Sequence, residues 1–341
     1  MSDYHDAMLW EAGEGNYVEC KLCGHACTIP PGQYGACRVR LNVDGQLKST
    51  NYESVVALHV DPIEKKPLFH FLPGTLSLSI ASVGCNFQCD FCQNWQISQS
   101  RRNDPAIGGQ AIAPEQIVAA ASGHDCASIS YTYTEPTVFF ELAYETARLA
   151  HPAGLRNCFV SNGFMTPQAV ETIAPYLDAI NVDLKCFRDE TYHRVMKASL
   201  APVLACLEAV VAAGIWLEVT TLIVPGMNDS PEELGEIAQY IATHLGTCVP
   251  WHVSRFHGDY KMHNTPSTPL ATLEMACGLG AAAGLKYVYC GNVHGGDGES
   301  TYCDACGAMV IERVGFTVGG MHLQNGACEK CGQQIDGIWA P

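Results

Sequence analysis

Between residues 76 and 292 the chain alternates short β-branched runs with helical patterns, and that alternation restricts it to few folds. Strands are predicted at 77–83, 128–133, 157–161, 179–184, 216–224, 251–255 and 286–289. Helical stretches between them include 136–150, 167–177, 231–244 and 269–283, and each has a proline (Pro136, Pro167, Pro231, Pro269) at its start. Proline suits a helix's first turn, where its missing N–H leaves no hydrogen bond unmade. Strand–helix alternation implies the α/β class: a parallel sheet with helical crossovers, here an open or partial (β/α) barrel of about six to seven units. In such folds chemistry gathers at the carboxyl ends of the strands.

Cysteines divide the chain further. Of 18 in 341 residues, eleven fall in three groups: Cys20, Cys23, Cys27 and Cys37; Cys85, Cys89 and Cys92; and Cys303, Cys306, Cys328 and Cys331. These groups define an N-terminal cysteine-rich module (1–75), the barrel (76–292) and a cysteine-rich tail (293–341). The turn Leu72-Pro73-Gly74-Thr75 closes the first part, and the loop His294-Gly295-Gly296-Asp297-Gly298 opens the last. The other seven (Cys126, Cys158, Cys186, Cys206, Cys248, Cys277, Cys290) are scattered in mostly apolar settings and read as small buried hydrophobes. Residues 1–6 lack the basic and apolar regions of a secretory peptide, so the cytoplasm is expected, and clustered thiols in a reducing compartment bind metal or do chemistry. The net charge of 19 − 35 = −16 argues against nucleic acid, since Lys65-Lys66 and Arg101-Arg102 are the only dense basic spots. The most apolar stretch, 201–224, carries Glu208 and Glu218, which argues against a membrane span.

Cys85-Asn86-Phe87-Gln88-Cys89-Asp90-Phe91-Cys92 follows the first predicted strand directly. Three thiolates at this spacing can hold three corners of a 4Fe–4S cube and leave the fourth iron open to a substrate. Three merely packed cysteines, or a three-cysteine zinc site, would not account for the strand-end position or for the aromatic before the third cysteine.

On these residues the sequence resembles the radical S-adenosylmethionine (SAM) superfamily, whose signature is CxxxCxΦC with an aromatic at Φ. The wider match is to the pyruvate formate-lyase activating enzyme group. The runs 61–74, 84–87 and 92–99 are similar to the AmmeMemoRadiSam system radical SAM enzymes, over nearly the whole chain. The resemblance implies an oxidoreductase in which SAM chelates the open iron and is split reductively to a 5′-deoxyadenosyl radical. It also implies a low-potential electron donor such as flavodoxin or ferredoxin, and roles for particular residues. Phe91 packs near the adenine. Glu135, before Pro136, stands in a motif that binds the methionine amino group, although Tyr133 and Thr134 replace the family's glycines; a helix N-terminal acid is the plainer explanation. Ser161 and Asn162 are ribose or methionine contacts unless they form a simple turn, and Val160 stands where activating enzymes often carry an acid. Asp183 and Lys185 match an Asp-x-Lys pattern and share one strand face, Lys185 toward the SAM carboxylate, unless they only pair with each other. His252 falls near the adenosyl group unless it is a satisfied core histidine. Thr220, Thr221, Asn292 and His294 read equally well as ordinary polar positions.

The tail's two CxxC pairs, Cys303/Cys306 and Cys328/Cys331, form a four-thiolate zinc pattern expected to be structural. Cys20, Cys23, Cys27 and Cys37 suggest a second metal site, zinc ahead of an auxiliary iron–sulfur cluster, and His25 could replace one thiolate. The expected function is hydrogen abstraction from a protein, peptide or small molecule. Its rivals are activation of a glycyl-radical enzyme at a partner's backbone, and, from another class, a zinc-ribbon interaction module on a catalytically dead barrel.

Overall fold

The computed structural model describes residues 4–100, 108–291 and 297–340. Asn292, His294, Arg101 and Arg102 lie outside the described residues.

Seven parallel strands carry the fold: β1 (Leu76–Ser82), β2 (Ser128–Tyr131), β3 (Arg156–Ser161), β4 (Ala179–Asp183), β5 (Trp216–Ile223), β6 (Trp251–Arg255) and β7 (Val288–Gly291). They lie side by side in chain order, with Ser128 of β2 opposite both Ser77 of β1 and Arg156 of β3. Each crossover therefore advances one place, and the sheet stays open because β7 and β1 do not pair. Their sequences are buried on both faces, as expected for a parallel sheet covered by helices.

Among the described residues, six helices of seven or more residues pack on this sheet: α1 (Pro114–Gly123), α2 (Phe140–Ala150), α3 (Pro167–Ile173), α4 (Leu200–Ala212), α5 (Pro231–Tyr240) and α6 (Leu270–Ala282). Thr166 and Ser230 cap α3 and α5, each hydroxyl accepting the N–H three residues on. The stretch expected as helix from Pro136 begins as a tight 3₁₀ turn, Pro136–Phe139, because the Glu135 side chain accepts the Thr137 N–H there. No single described helix is long and apolar enough to cross a membrane.

Two features differ from the sequence reading. Ser54–Pro62, in the N-terminal module, pairs antiparallel with β1, and Gln110–Ala111 pairs beyond it, so the sheet has nine strands. An antiparallel strand beside a parallel sheet has no helix-crossover signature to reveal it, and its burial does not alternate. Cys277 on α6 and Cys290 on β7 are joined as a disulfide, which corrects their reading as isolated apolar residues. Cys126, Cys158, Cys186 and Cys206 are buried as expected.

The segment from Asp61 to Gly74 runs under the amino ends of the strands and is bonded on both sides. Glu218 of β5 accepts the N–H groups of Phe69 (3.0 Å) and His70 (2.8 Å). From the tail, Arg313 donates to the Phe69 carbonyl (2.6 Å), and Ile338 exchanges backbone bonds with His70 and Leu72. The Asp61 carboxylate accepts from Lys65 and Lys66 (2.7 Å each) and from the Tyr133 hydroxyl. The bonds to Glu218 and the tail tie the segment beneath the strands' amino ends.

Candidate active site

Strand β1 runs through Val83 and Gly84 into Cys85. Gly84 has φ of +102°, and a Cβ there would lie 2.9 Å from Val39, so the turn that aims Cys85 requires glycine. The loop that follows is held by backbone bonds, Gln88 N–H to Met196 (2.9 Å) and Asp90 N–H to Val195 (3.3 Å). Phe87 N–H donates to Cys85 Sγ (3.3 Å), and Cys92 Sγ lies 3.2 Å from the Ser98 hydroxyl. Cys89 is buried; Cys85 and Cys92 are half-buried. Burial pushes the Cys85 thiol well up, and Glu135 and Cys89 push it the same way. Burial also drives Cys89 up to about 12, against the pull of Lys185. Such thiols stay protonated at neutral pH until a metal ionises them.

Glu135, Ser161 and Asn162 come together, but as a bracket. The Glu135 carboxylate is buried and accepts from the Ser161 hydroxyl (2.8 Å), the Asn162 N–H (2.8 Å), and the Thr137 N–H (3.1 Å) and hydroxyl (2.5 Å). Both oxygens are thus engaged by the chain itself. Burial raises the Glu135 pKa, and the donors only partly offset it. Asn162 Nδ2 donates to Asn86 Oδ1 (2.7 Å) and lies 3.8 Å from Cys85 Sγ, so the bracket ends on the first cysteine. Gly163 completes the turn at φ +70°, with Val182 2.6 Å from where a Cβ would sit.

Asp183, the last residue of β4, and Lys185, just past it, form an ion pair of 2.8 Å. Lys185 Nζ stands 5.7 Å from the centre of the Phe91 ring. Burial works against its charge, yet Asp183, Cys89 and Cys92 outweigh burial and raise its pKa. One cation is therefore held at the mouth beside two of the three thiols. Residues 79–241 match the family model for the radical SAM superfamily, and that span contains the three cysteines, the bracket and the pair.

The chain belongs to the radical SAM superfamily.

It is 44% identical over 333 residues to the uncharacterized protein MJ0808 of Methanocaldococcus jannaschii, covering 97% of this chain and 98% of that one. It is 26% identical over 163 residues to the benzylsuccinate synthase activating enzyme of Thauera aromatica, covering 45% of this chain and 48% of that enzyme. Among solved structures, a radical SAM methyltransferase from Sphaerobacter thermophilus superposes with a TM-score of 0.52 at 15% identity, over 65% of this chain and 68% of that one. That likeness is one of fold.

The radical SAM fold implies a 4Fe–4S cluster and SAM, and the residues present fit both. The three thiols lie on one loop after β1, near enough for Cys89 and Cys92 to push the Cys85 thiol up. Asn86 Nδ2 beside them is buried without a hydrogen-bond partner, and Lys185 offers a cation for a carboxylate. His252 does not fit the adenosyl role. It is the second residue of β6, near the barrel floor, where it pairs with Glu218 (2.6 Å) and packs on Phe69 and Tyr289. Thr220 and Thr221 likewise bond within the barrel, to Asn181 (2.9 Å) and to the Leu184 carbonyl (3.0 Å).

Sequence reasoning missed the loop after β6. Lys261 donates to Asp90 inside the cysteine motif (2.8 Å), and Tyr260 stacks on Trp95 at 5.0 Å. A contact 171 residues away leaves no spacing signal. Asn228 was also missed; it donates to the Lys185 carbonyl (2.6 Å) and so holds the lysine's backbone.

The tail cysteines converge. Cys303 and Cys331 Sγ lie 3.6 Å apart, Cys306 and Cys328 Sγ 3.8 Å, and all four lie within 4.8 Å of one another. Four sulfurs around one ion at a Zn–S distance near 2.3 Å are separated by about 3.8 Å. Among the described residues this is the one set of three or more metal-ligating groups that draws in so tightly.

Proposed function

We propose that this radical SAM protein cleaves SAM reductively and uses the product radical to abstract hydrogen from a substrate admitted at the carboxyl ends of the strands. The observation that carries the reading is the junction of Cys85, Cys89 and Cys92 with the Lys185 cation at one strand-end mouth. Cys85, Cys89 and Cys92 hold the 4Fe–4S cluster, which supplies the electron that splits bound SAM into methionine and a 5′-deoxyadenosyl radical. Lys185 holds the SAM carboxylate by a charge-assisted bond, and Asp183 keeps the lysine aimed. The Phe91 ring sits under the lysine's ammonium, which stands 5.7 Å from the ring centre. Glu135, Ser161 and Asn162 fix the loop that presents Cys85, a supporting part in place of direct cofactor contact.

The test is electron paramagnetic resonance of the anaerobically reconstituted, reduced protein. Addition of SAM should shift the cluster signal, because the sulfonium substrate takes the open iron. Silence toward SAM would remove the reading.

The substrate class follows from weaker support. Similarity to a benzylsuccinate synthase activating enzyme favours a backbone glycine on a partner protein, with flavodoxin or ferredoxin as reductant. Val160, where activating enzymes often carry an acid, favours direct action on a peptide or small molecule. The likeness of runs 61–74, 84–87 and 92–99 to the AmmeMemoRadiSam group supports membership of that group, and a cytoplasmic location goes with it. Zinc is proposed for Cys303, Cys306, Cys328 and Cys331 on the sulfur spacing. With the reactive thiols and the Lys185 pair intact, a catalytically dead barrel has nothing in its favour.

A further inference from the structure

We propose that Cys20, Cys23, Cys27 and Cys37 hold a second iron–sulfur cluster in a pocket at the seam between the N-terminal module and the barrel. The four cysteines line one cavity together with Leu22, Ile29 and Arg40, and the barrel closes it with Thr137 and Val138. The walls are built by pairing. Val18–Cys20 and Thr28–Ile29 are antiparallel, with the Cys20 N–H on the Cys27 carbonyl at 2.9 Å. The module is fastened to the end of β3 by Gly24 N–H to the Phe164 carbonyl (2.9 Å) and the Thr166 hydroxyl to the Lys21 carbonyl (2.7 Å).

Spacing separates the two metals such a set could take. A single zinc pulls four sulfurs to about 3.8 Å, as the tail shows. A cube gives each thiolate its own iron corner and so holds the sulfurs farther apart. The N-terminal four surround a shared space without gathering within 4.8 Å, which is also the state of Cys85, Cys89 and Cys92. In one molecule, the set that fits a single ion is closed, whereas neither the N-terminal set nor the set at Cys85 draws three sulfurs within 4.8 Å.

The surroundings suit an anionic cluster. Arg40 is buried; its Nη2 pairs with the buried Glu141 and its Nη1 donates to the Met8 carbonyl (2.7 Å), while Nη1 also lies 3.6 Å from Cys20 Sγ and Nε has no partner. The Ala36 N–H donates to Cys27 Sγ at 3.4 Å. Hydrogen bonds and a buried cation at the sulfurs are what sets a cluster's charge balance and potential. Four thiolates leave no open iron, so this cluster would not take SAM. His25, within the set, lies 2.8 Å from the carbonyl of Asn86, the neighbour of Cys85, which ties the pocket to the catalytic loop.

The test is metal analysis of the full chain carrying Cys85→Ala, Cys89→Ala and Cys92→Ala, reconstituted anaerobically with iron and sulfide. About four irons per chain should remain, with a reduced-state resonance indifferent to SAM. Adding Cys23→Ser and Cys37→Ser should remove that iron and spare the metal of the tail. A triple variant with zinc but no iron in the N-terminal set, or with no metal there, would overturn the proposal. Should the triple variant fail to fold, the unsubstituted protein decides. About eight irons, with SAM perturbing one of two signals, supports two clusters, and about four irons with one signal refutes them.

Discussion

Lys185 stands where three influences meet: Asp183 at 2.8 Å, the Phe91 ring, and the thiols of Cys89 and Cys92. Its Asp-x-Lys context was legible, because strand alternation alone puts both charges on one face. The roles of Glu135 and His252 were not. A carboxylate before a proline looks the same whether it meets a ligand or four donors of its own chain, and a strand histidine looks the same at either end of a barrel. Lys185→Ala should weaken SAM binding by about 1.5–3 kcal/mol, roughly 10- to 150-fold in Kd, with iron content unchanged. Equilibrium binding beside iron analysis checks this, and an unchanged Kd would leave Lys185 as a structural partner of Asp183. Glu135→Gln should instead loosen the Cys85 loop and lower cluster occupancy, because the Asn162 N–H and Ser161 hydroxyl would lose a charged acceptor. Full iron content in that variant would contradict the bracket.

Among the elements, the segment from Asp61 to Gly74 does more than its sequence suggests. His70 is fully buried, with Nδ1 2.6 Å from the Asp336 carbonyl and Nε2 at the Tyr289 hydroxyl, and Glu218, His252 and Arg313 surround it. Burial pushes its pKa down to about 4, against the partial opposition of Glu218. The unfolded chain binds a proton near pH 6.5 and the folded chain does not, so stability falls as pH drops through the interval from 6.5 to 4. The full effect is worth about 3 kcal/mol. His70→Gln should melt below the parent at pH 7, with the gap between them closing by pH 5. A pH-independent gap in thermal midpoints would contradict a buried neutral histidine. If the tail holds the proposed zinc, Cys303→Ser with Cys306→Ser should remove zinc from the protein and lower the melting temperature while SAM binding persists, as elemental analysis and calorimetry would show. Retention of all zinc would assign the metal elsewhere. The tail's CxxC pairs were plain in the sequence, but its docking through Arg313 and Ile338 was not, since residues 244 positions apart share no local pattern.

Across the whole molecule, the seven-strand alternation and the cysteine motif were enough to define a barrel with a redox site at its open end. What escaped was the joining of parts. The strand Ser54–Pro62 belongs by sequence to the N-terminal module and by pairing to the barrel sheet, and the disulfide between Cys277 and Cys290 links two elements with no motif around either cysteine. The central claim is chemical and is tested most directly by measuring 5′-deoxyadenosine formed from SAM by the anaerobically reconstituted chain under a low-potential reductant. The wild type should produce 5′-deoxyadenosine and methionine together, and Cys85→Ala, Cys89→Ala and Cys92→Ala should each abolish both. Undiminished 5′-deoxyadenosine in those variants, or none from a wild type that carries its iron, would contradict the account.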